Sequence, residues 1–503
     1  VENELMNFEV QISDALELAT PCLVVPVFQG EAFSDVAAQL DEKLGGLLSS
    51  IREEDGFKGT VGETKVLYTT QLAAPRVLLV GLGKREKFSS IKLRNAVARA
   101  ARAVRSIKRN SFAIVLPQTS LQAGETAQTV VEGISLGLHI FNDFKTDEET
   151  KNLTQIENVT LLAADADSSE ALQSGITMGE ITVEANLRAR ALVNLPSNKK
   201  SPQYFALEAQ KIAEENGLRC EVWDENKLLE ENMGALFAVG MGSDNPARFI
   251  ILDYVPEGQE NQRPLILVGK GMSFDSGGYS LKPSTSMEDM KDDMAGAAVV
   301  LATMSVIAKL QPQLRIMALI PTAENMVSGR AMRPGDIYTA RNGKTIEVLN
   351  TDAEGRLILA DALSYATEQN PIAIIDYATL TGAISIALGQ ECAGLFANDD
   401  ELANKVTQAG ENTGDRVWRF PLWDEYRDYM KGTISDLKNM GPERRAGSIV
   451  AAVFLEKFVG DDIPWAHLDI AAVSLLREDR PLTARGATGF GVRLTLDLLK
   501  NWS

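Results

Sequence analysis

The sequence predicts a two-domain α/β protein: a smaller N-terminal α/β domain, a long connecting helix, and a larger C-terminal α/β domain with a mainly parallel central sheet. Three observations predict it. The chain has 503 residues, too many for one small module at roughly 100–200 residues per domain. Short β-branched runs alternate along it with longer helical patterns. Several apolar runs in the later part are nearly continuous, as in parallel strands covered on both faces.

In chain order, residues 1–165 read as the first domain, with strands at 23–28, 65–70, 76–80, 112–116 and 159–163 and helices at 36–51 and 91–107. A start at Met6 would make Val1–Leu5 a remnant, an alternative the sequence leaves open. Residues 166–194 form the connector, because 168–193 is rich in Ala, Glu and Leu and stops at Asn194-Leu-Pro-Ser-Asn198. Residues 195–503 form the second domain. Its strands are expected at 219–223, 248–254, 264–268, 314–320, 344–349, 372–377 and 464–470, and its clearest helices at 295–310 and 357–368. Ligands of open α/β sheets sit beyond the carboxyl ends of strands, so the segments after Val268, Leu349 and Tyr377 are where a site is expected.

Composition narrows the chemistry. Fifty basic against sixty-nine acidic residues give a net charge of −19, which opposes nucleic-acid binding as a main role, since phosphate affinity needs a basic face. Lys199-Lys200 and Arg444-Arg445 are too short to supply one. No apolar run approaches the ~18 residues of a membrane helix, and the first thirty residues carry acids where a signal peptide would carry Lys or Arg. A cytoplasmic protein without membrane contact is expected. Three scattered cysteines exclude a disulfide framework, and two histidines, His139 and His467, exclude chemistry built on a His cluster.

Two blocks gather reactive groups at strand ends. The first is Lys270-Gly-Met-Ser-Phe-Asp275-Ser-Gly-Gly-Tyr-Ser-Leu-Lys282, followed by Asp293 where a helix begins; the second is Asn350-Thr-Asp352-Ala-Glu354-Gly-Arg356. Taken singly, Asp293 reads as a helix cap, Asp352 and Glu354 as first-turn acids, and the lysines as surface residues. Together, four carboxylates with an amine and no imidazole suit a pair of divalent ions, Mn²⁺, Zn²⁺ or Mg²⁺. Such a pair can activate a water and polarise a carbonyl.

These two blocks, with Asn194-Leu-Pro-Ser-Asn198, Asp376-Tyr-Ala-Thr-Leu-Thr-Gly382 and Trp465-Ala-His-Leu-Asp-Ile470, resemble the leucine aminopeptidase (cytosol aminopeptidase) family of dinuclear metallopeptidases. The resemblance covers essentially the whole C-terminal part; the first third is similar only in pattern. It implies an enzyme that hydrolyses the N-terminal bond of peptides, with leucine-like residues preferred. By resemblance, Asp275 and Glu354 bridge two metals, Lys270 and Asp293 complete one site, and Asp352 completes the other. Lys282 would bind the substrate carbonyl and then the oxyanion, and Arg356 a bicarbonate that shuttles the proton. Met290, Thr379 and Gly382 would line the first side-chain pocket. A homohexamer, a dimer of trimers, is implied as well. After Asp469 the sequence runs Ile-Ala-Ala-Val-Ser-Leu-Leu, where the family usually shows Ala-Gly followed by a small or polar pair, which bears on the side-chain preference.

Other readings are weaker. Asp275-Ser-Gly-Gly278 is similar to the nucleophile segment of trypsin-like serine proteases, but those are all-β and need a preceding histidine, and His139 stands in no matching context. Gly81-Leu-Gly83 follows a strand as a dinucleotide loop would, yet residue 86 is Glu, so a strand-exit turn is expected. His467, within an apolar strand, reads as a satisfied core residue. Some relatives in the family double as DNA-binding accessory or regulatory proteins; the acidic balance disfavours that as the main role here.

Overall fold

The computed structural model describes residues 6–33, 35–442 and 445–502. The uncertain start at Val1–Leu5 and one half of the Arg444-Arg445 pair lie outside them. Two compact units emerge: one runs through Glu184 and takes in Glu478–Arg485, the other comprises Ala185–Arg477 and the chain from Gly486. The fold is the expected pair of α/β domains, the smaller one first.

The first unit is built on a six-stranded sheet: β1 (Asn7–Gln11), β2 (Leu23–Val27), β3 (Thr64–Tyr68), β4 (Arg76–Gly81), β5 (Ser111–Val115) and β6 (Asn158–Leu162), in the order β1-β6-β5-β2-β4-β3. Only β3 runs antiparallel to its neighbour. β1 was not expected, because Asn-Phe-Glu-Val-Gln alternates polar and apolar residues and offers no apolar run. The expected helix at 36–51 is two helices, Asp35–Lys43 and Leu47–Glu53, divided where Gly45 and Gly46 take φ of 66° and 81°.

The second unit holds a nine-stranded sheet and a three-stranded one. The large sheet contains β7 (Arg219–Trp223), β8 (Arg248–Tyr254), β9 (Leu265–Gly269), β10 (Gly271–Asp275) and β11 (Ile316–Asn325). The small one contains β12 (Ile337–Thr339) and β13 (Thr345–Glu347). The large sheet continues with β14 (Ala373–Ala378), β15 (Ala393–Ala397) and β16 (Val417–Arg419), the small one takes β17 (Leu437–Lys438), and β18 (Trp465–Asp469) returns to the large one. The main order is β16-β15-β18-β14-β9-β11-β8-β7, with β10 paired beside β11. β18, β14, β9 and β11 are parallel neighbours, so their carboxyl ends share one edge.

Alternation decides what covers each face. Ile266 and Val268 of β9 join Met317 and Leu319 of β11 in a core cluster with Leu357, Ile358 and Leu359. Leu265 and Leu267 are equally buried and point the other way. Helix Ala295–Met304, buried at all ten positions, packs on β9 and β14. Helices Ala295–Met304 and Gly355–Glu368 each begin just beyond the carboxyl ends of the central strands.

Three expectations are corrected. The segment at 344–349 is a strand, but of the small sheet, because Thr345–Glu347 pairs with β12 and β17. The helix at 295–310 breaks at Ser305 and Val306, and Ile307–Leu310 is a separate turn. The glycine-rich segment after Lys270 is itself a strand, β10, whose register slips between Met272 and Phe274.

Candidate metal centre

The functional side chains meet beyond the carboxyl edge of β9, β10, β11 and β14. β9 ends at Gly269 and delivers Lys270; β10 ends at Asp275; the loop before helix Gly355–Glu368 brings Asp352 and Glu354; Asp293 precedes helix Ala295–Met304. Oxygens of Asp275, Asp293 and Glu354 all lie within 4.8 Å of one another. All three residues are buried. Such crowding of acids is costly unless positive charge is supplied.

Two lysines supply part of it. Lys270 Nζ lies 2.7 Å from Asp293 Oδ1, 3.1 Å from Glu354 Oε1, and donates to the Thr379 carbonyl at 2.9 Å. Lys282 Nζ is 2.8 Å from Asp275 Oδ2 and pairs with Asp352. Four carboxylates thus face two ammoniums. The imbalance appears in their acidities. Burial, reinforced by the Glu354 charge, pushes Asp275 up to about 7. Burial also drives Asp293 well above the carboxylate range and raises Asp352. Burial would raise Glu354 too, but Lys270 and Lys282 outweigh it and hold that group low. For both lysines burial favours the neutral amine, and the surrounding carboxylates win and raise them.

Neither Asp293 nor Glu354 behaves as the helix-start residue it resembles in isolation. No side-chain cap bond is made at Met294 or Glu354, the residues that open the two helices. Instead Asp293 Oδ1 accepts from Lys270 and from Thr379 Oγ1, the latter at 2.8 Å. Asp293 Oδ2 and Glu354 Oε2 are buried with no hydrogen-bond partner among the described residues. A desolvated carboxylate oxygen left unpartnered is what a cation-binding cluster presents before its ion arrives, so the donor set fits divalent cations.

Arg356 sits in the first turn of its helix, buried, with Nη1 donating to the Asn439 carbonyl at 2.8 Å and Nε unpartnered. Burial pushes it down to about 10, against the charges of Glu354 and Asp469. Thr379 is buried beside Lys270 and Asp293. Met290 is half-buried in a 3₁₀ turn packed on β10, and Gly382 opens helix Gly382–Leu388.

Several residues that hold the site were not foreseen. Asn325, at the end of β11, donates to Asp275 Oδ1 at 2.8 Å and to the Thr351 carbonyl at 2.9 Å. Thr351 Oγ1 donates to the Gly277 carbonyl at 2.6 Å and accepts from the Ser280 amide at 2.8 Å, stitching the two glycine-rich blocks together. Asn439 accepts from the Leu349 amide and donates to the Asn350 carbonyl, clamping the second block. Gly277 has φ +85°, and a Cβ there would lie 2.8 Å from Asp352 Oδ1, so that turn admits only glycine. His467 is half satisfied: Nδ1 is 2.5 Å from Asp376 Oδ1, which fits a core role, while Nε2 has no partner among the described residues.

Two sequence models of one family match the chain. The cytosol aminopeptidase family catalytic domain matches residues 187–496, and the N-terminal domain of the same family matches residues 24–148. The chain belongs to the cytosol aminopeptidase family. It is therefore a metal-dependent aminopeptidase, a hydrolase. A probable cytosol aminopeptidase of Geotalea uraniireducens is 44% identical over 98% of this chain and 99% of its own length. A probable cytosol aminopeptidase of Aquifex aeolicus is 42% identical over 94% of each chain. Among solved structures, a tomato leucine aminopeptidase mutant superimposes with a TM-score of 0.90 at 34% identity, over 99% of this chain and 97% of that one. The bottromycin maturation enzyme BotP in complex with Mn gives 0.84 at 33% identity, over 95% and 99%. No helix of this aminopeptidase, among the described residues, is long and apolar enough to cross a membrane.

Proposed function

We propose that the chain releases N-terminal residues, leucine-like ones by preference, from peptides, using two divalent cations per subunit. The observation that carries this reading is the cluster of Asp275, Asp293 and Glu354, with unpartnered buried oxygens on the last two. Asp275 and Glu354 would serve both ions, Lys270 and Asp293 one, and Asp352 the other. A bound pair supplies an activated water and polarisation of the scissile carbonyl. Oxygen donors favour Mn²⁺ or Mg²⁺, with Zn²⁺ as the other candidate, and the Mn-bound structural relative supports the first.

The chain's own groups do the rest. Lys270 must release its proton to become a ligand, and its ammonium is the counter-charge an incoming cation replaces. Lys282, freed from Asp275 and Asp352 by the same neutralisation, donates to the substrate carbonyl and to the oxyanion that develops from it. Arg356, buried and with an unspent donor, would hold a bicarbonate that takes up the proton in place of a histidine base. Met290, Thr379 and Gly382 would line the pocket for the first side chain. A Met-lined pocket accepts flexible apolar groups. Peptides as substrates, a homohexamer built as a dimer of trimers, and a cytoplasmic location complete the proposal; the charge of −19 disfavours nucleic acid as a main partner.

The test is hydrolysis of a leucine chromogenic amide before chelation, after it, and with Mn²⁺ restored. Loss and recovery are expected. Activity that persists after thorough chelation overturns the mechanism.

A further inference from the structure

Asp469 bonds directly to no candidate ligand of the cation cluster, yet three of its side-chain hydrogen bonds go to the loop that adjoins that cluster. It is the last residue of β18, fully buried, in register with Ala378 at the end of β14. Its Oδ1 accepts from the Leu380 amide at 3.1 Å, the Thr381 amide at 3.4 Å and the Ala471 amide at 3.3 Å. Its Oδ2 accepts from Thr381 Oγ1 at 2.6 Å. A threonine hydroxyl has one proton, so the 2.6 Å contact between Thr381 Oγ1 and Ser448 Oγ must be donated by the serine. The carboxylate therefore ends a short relay of hydroxyls and gathers two successive amides of the strand-exit loop.

The residue immediately before those amides is Thr379. Its carbonyl accepts from Lys270 Nζ at 2.9 Å and its hydroxyl donates to Asp293 Oδ1 at 2.8 Å. Both groups stand at the same end of the cluster. The loop that Asp469 fixes thus dictates where Lys270 and Asp293 point, and it does so without reaching Asp352 at the other end.

We infer that Asp469 is a positioning residue for one of the two cation sites, the Lys270/Asp293 site, acting through Thr381 and Thr379. This rests on the two-cation reading above. Residues that orient ligands from behind typically change metal affinity about 10–100-fold when altered. Asp469→Asn keeps the shape but turns an acceptor into a donor facing other donors. Thr381→Val removes the hydroxyl, with its contacts to Asp469 and Ser448, and leaves the backbone amide in place.

The experiment is Mn²⁺ binding to the whole cation-stripped chain, by titration calorimetry and by metal content at a fixed free Mn²⁺ that saturates the wild type. The thermal midpoint of each cation-free protein is recorded alongside. Asp469→Asn is expected to weaken one ion about 10–100-fold, so metal content falls from two toward one, while the second ion keeps its affinity. Thr381→Val should move the same ion by less. A general loss of packing would lower the thermal midpoint without singling out one ion. Folded Asp469→Asn with both ions at wild-type affinity overturns the inference. Should that variant not fold, Thr381→Val decides, and unchanged affinity there overturns it equally. A wild type that takes up no Mn²⁺ refutes instead the two-cation reading on which this rests.

Discussion

The side-chain amide of Asn325 reaches both Asp275 Oδ1, at 2.8 Å, and the Thr351 carbonyl, at 2.9 Å, so one nitrogen ties the end of β10 to the loop that carries Asp352 and Glu354. Removing it leaves the buried Thr351 carbonyl unsatisfied, at roughly 1–3 kcal/mol, and leaves Asp275 Oδ1 with the Gly277 amide alone. Asn325→Ala is expected to bind Mn²⁺ about 10–100-fold more weakly and to lose turnover in step. Metal titration and a leucine-amide assay on the same preparation check this; wild-type affinity would contradict it.

Lys282→Ala and Arg356→Ala separate chemistry from metal retention. Neither is proposed as a ligand, so metal content should stay near wild type while kcat drops by about 10²–10³ for the lysine, as for loss of an oxyanion donor. Metal analysis beside steady-state kinetics makes the comparison. Loss of metal in either variant would mean its role is misassigned.

Gly355 offers a steric test. A Cβ there would fall 2.6 Å from Lys270 Nζ, at the start of an otherwise ordinary buried helix. Gly355→Ala should favour the helix locally yet push Lys270 off its place. The expected result is a folded protein with activity reduced by at least about tenfold, read by circular dichroism and the amide assay.

Cation removal should also register in stability. Ions that bind only the folded chain add about 2.7 kcal/mol when free metal is a hundred times Kd, and without them four carboxylates face two ammoniums. Chelation should lower the thermal midpoint, and Mn²⁺ should restore it. An unchanged midpoint in scanning calorimetry would count against a folded-state cation site.

Asp361 makes a pH prediction away from the cluster. It is buried in helix Gly355–Glu368 and accepts from the Leu236 and Arg341 amides, each at 2.8 Å. Burial pushes its carboxyl from 3.8 up to about 7. A raised folded value means the folded chain holds the proton more tightly, so this contribution is fully present below 3.8 and is lost as pH rises through about 7. The melting temperature of the wild type minus that of Asp361→Asn should fall from about pH 5 to about pH 7.5 and then level off. A difference that grows with pH would contradict the assignment.

Much of this architecture was legible in one sequence, for identifiable reasons. Strands Arg219–Trp223 and Arg248–Tyr254 were expected at the bounds observed, since apolar runs between turn residues leave little choice. The seven candidate ligands and catalytic groups are charged residues crowded at strand ends, a pattern that local order reveals. The supporting residues were not visible in the same way. Asn325 lies at the end of a ten-residue strand, β11, that hydrophobicity alone ends at 320, and Asn439 and Asp469 act on partners 83 to 90 positions away. Their partners are set by sheet register, which no local window contains. β10 escaped notice because its glycines read as a loop, and only pairing with β11 makes it a strand.

The order of strands in the large sheet has a consequence for biosynthesis. β18 is the last of them to be made, yet it lies between β15 and β14 and carries Asp469 against the loop beside Lys270. A ribosome-bound chain that has emerged only through β16 therefore lacks an interior strand of its own sheet. The loop beside Lys270 and Asp293 thus gains its backing from a strand synthesised after every candidate ligand.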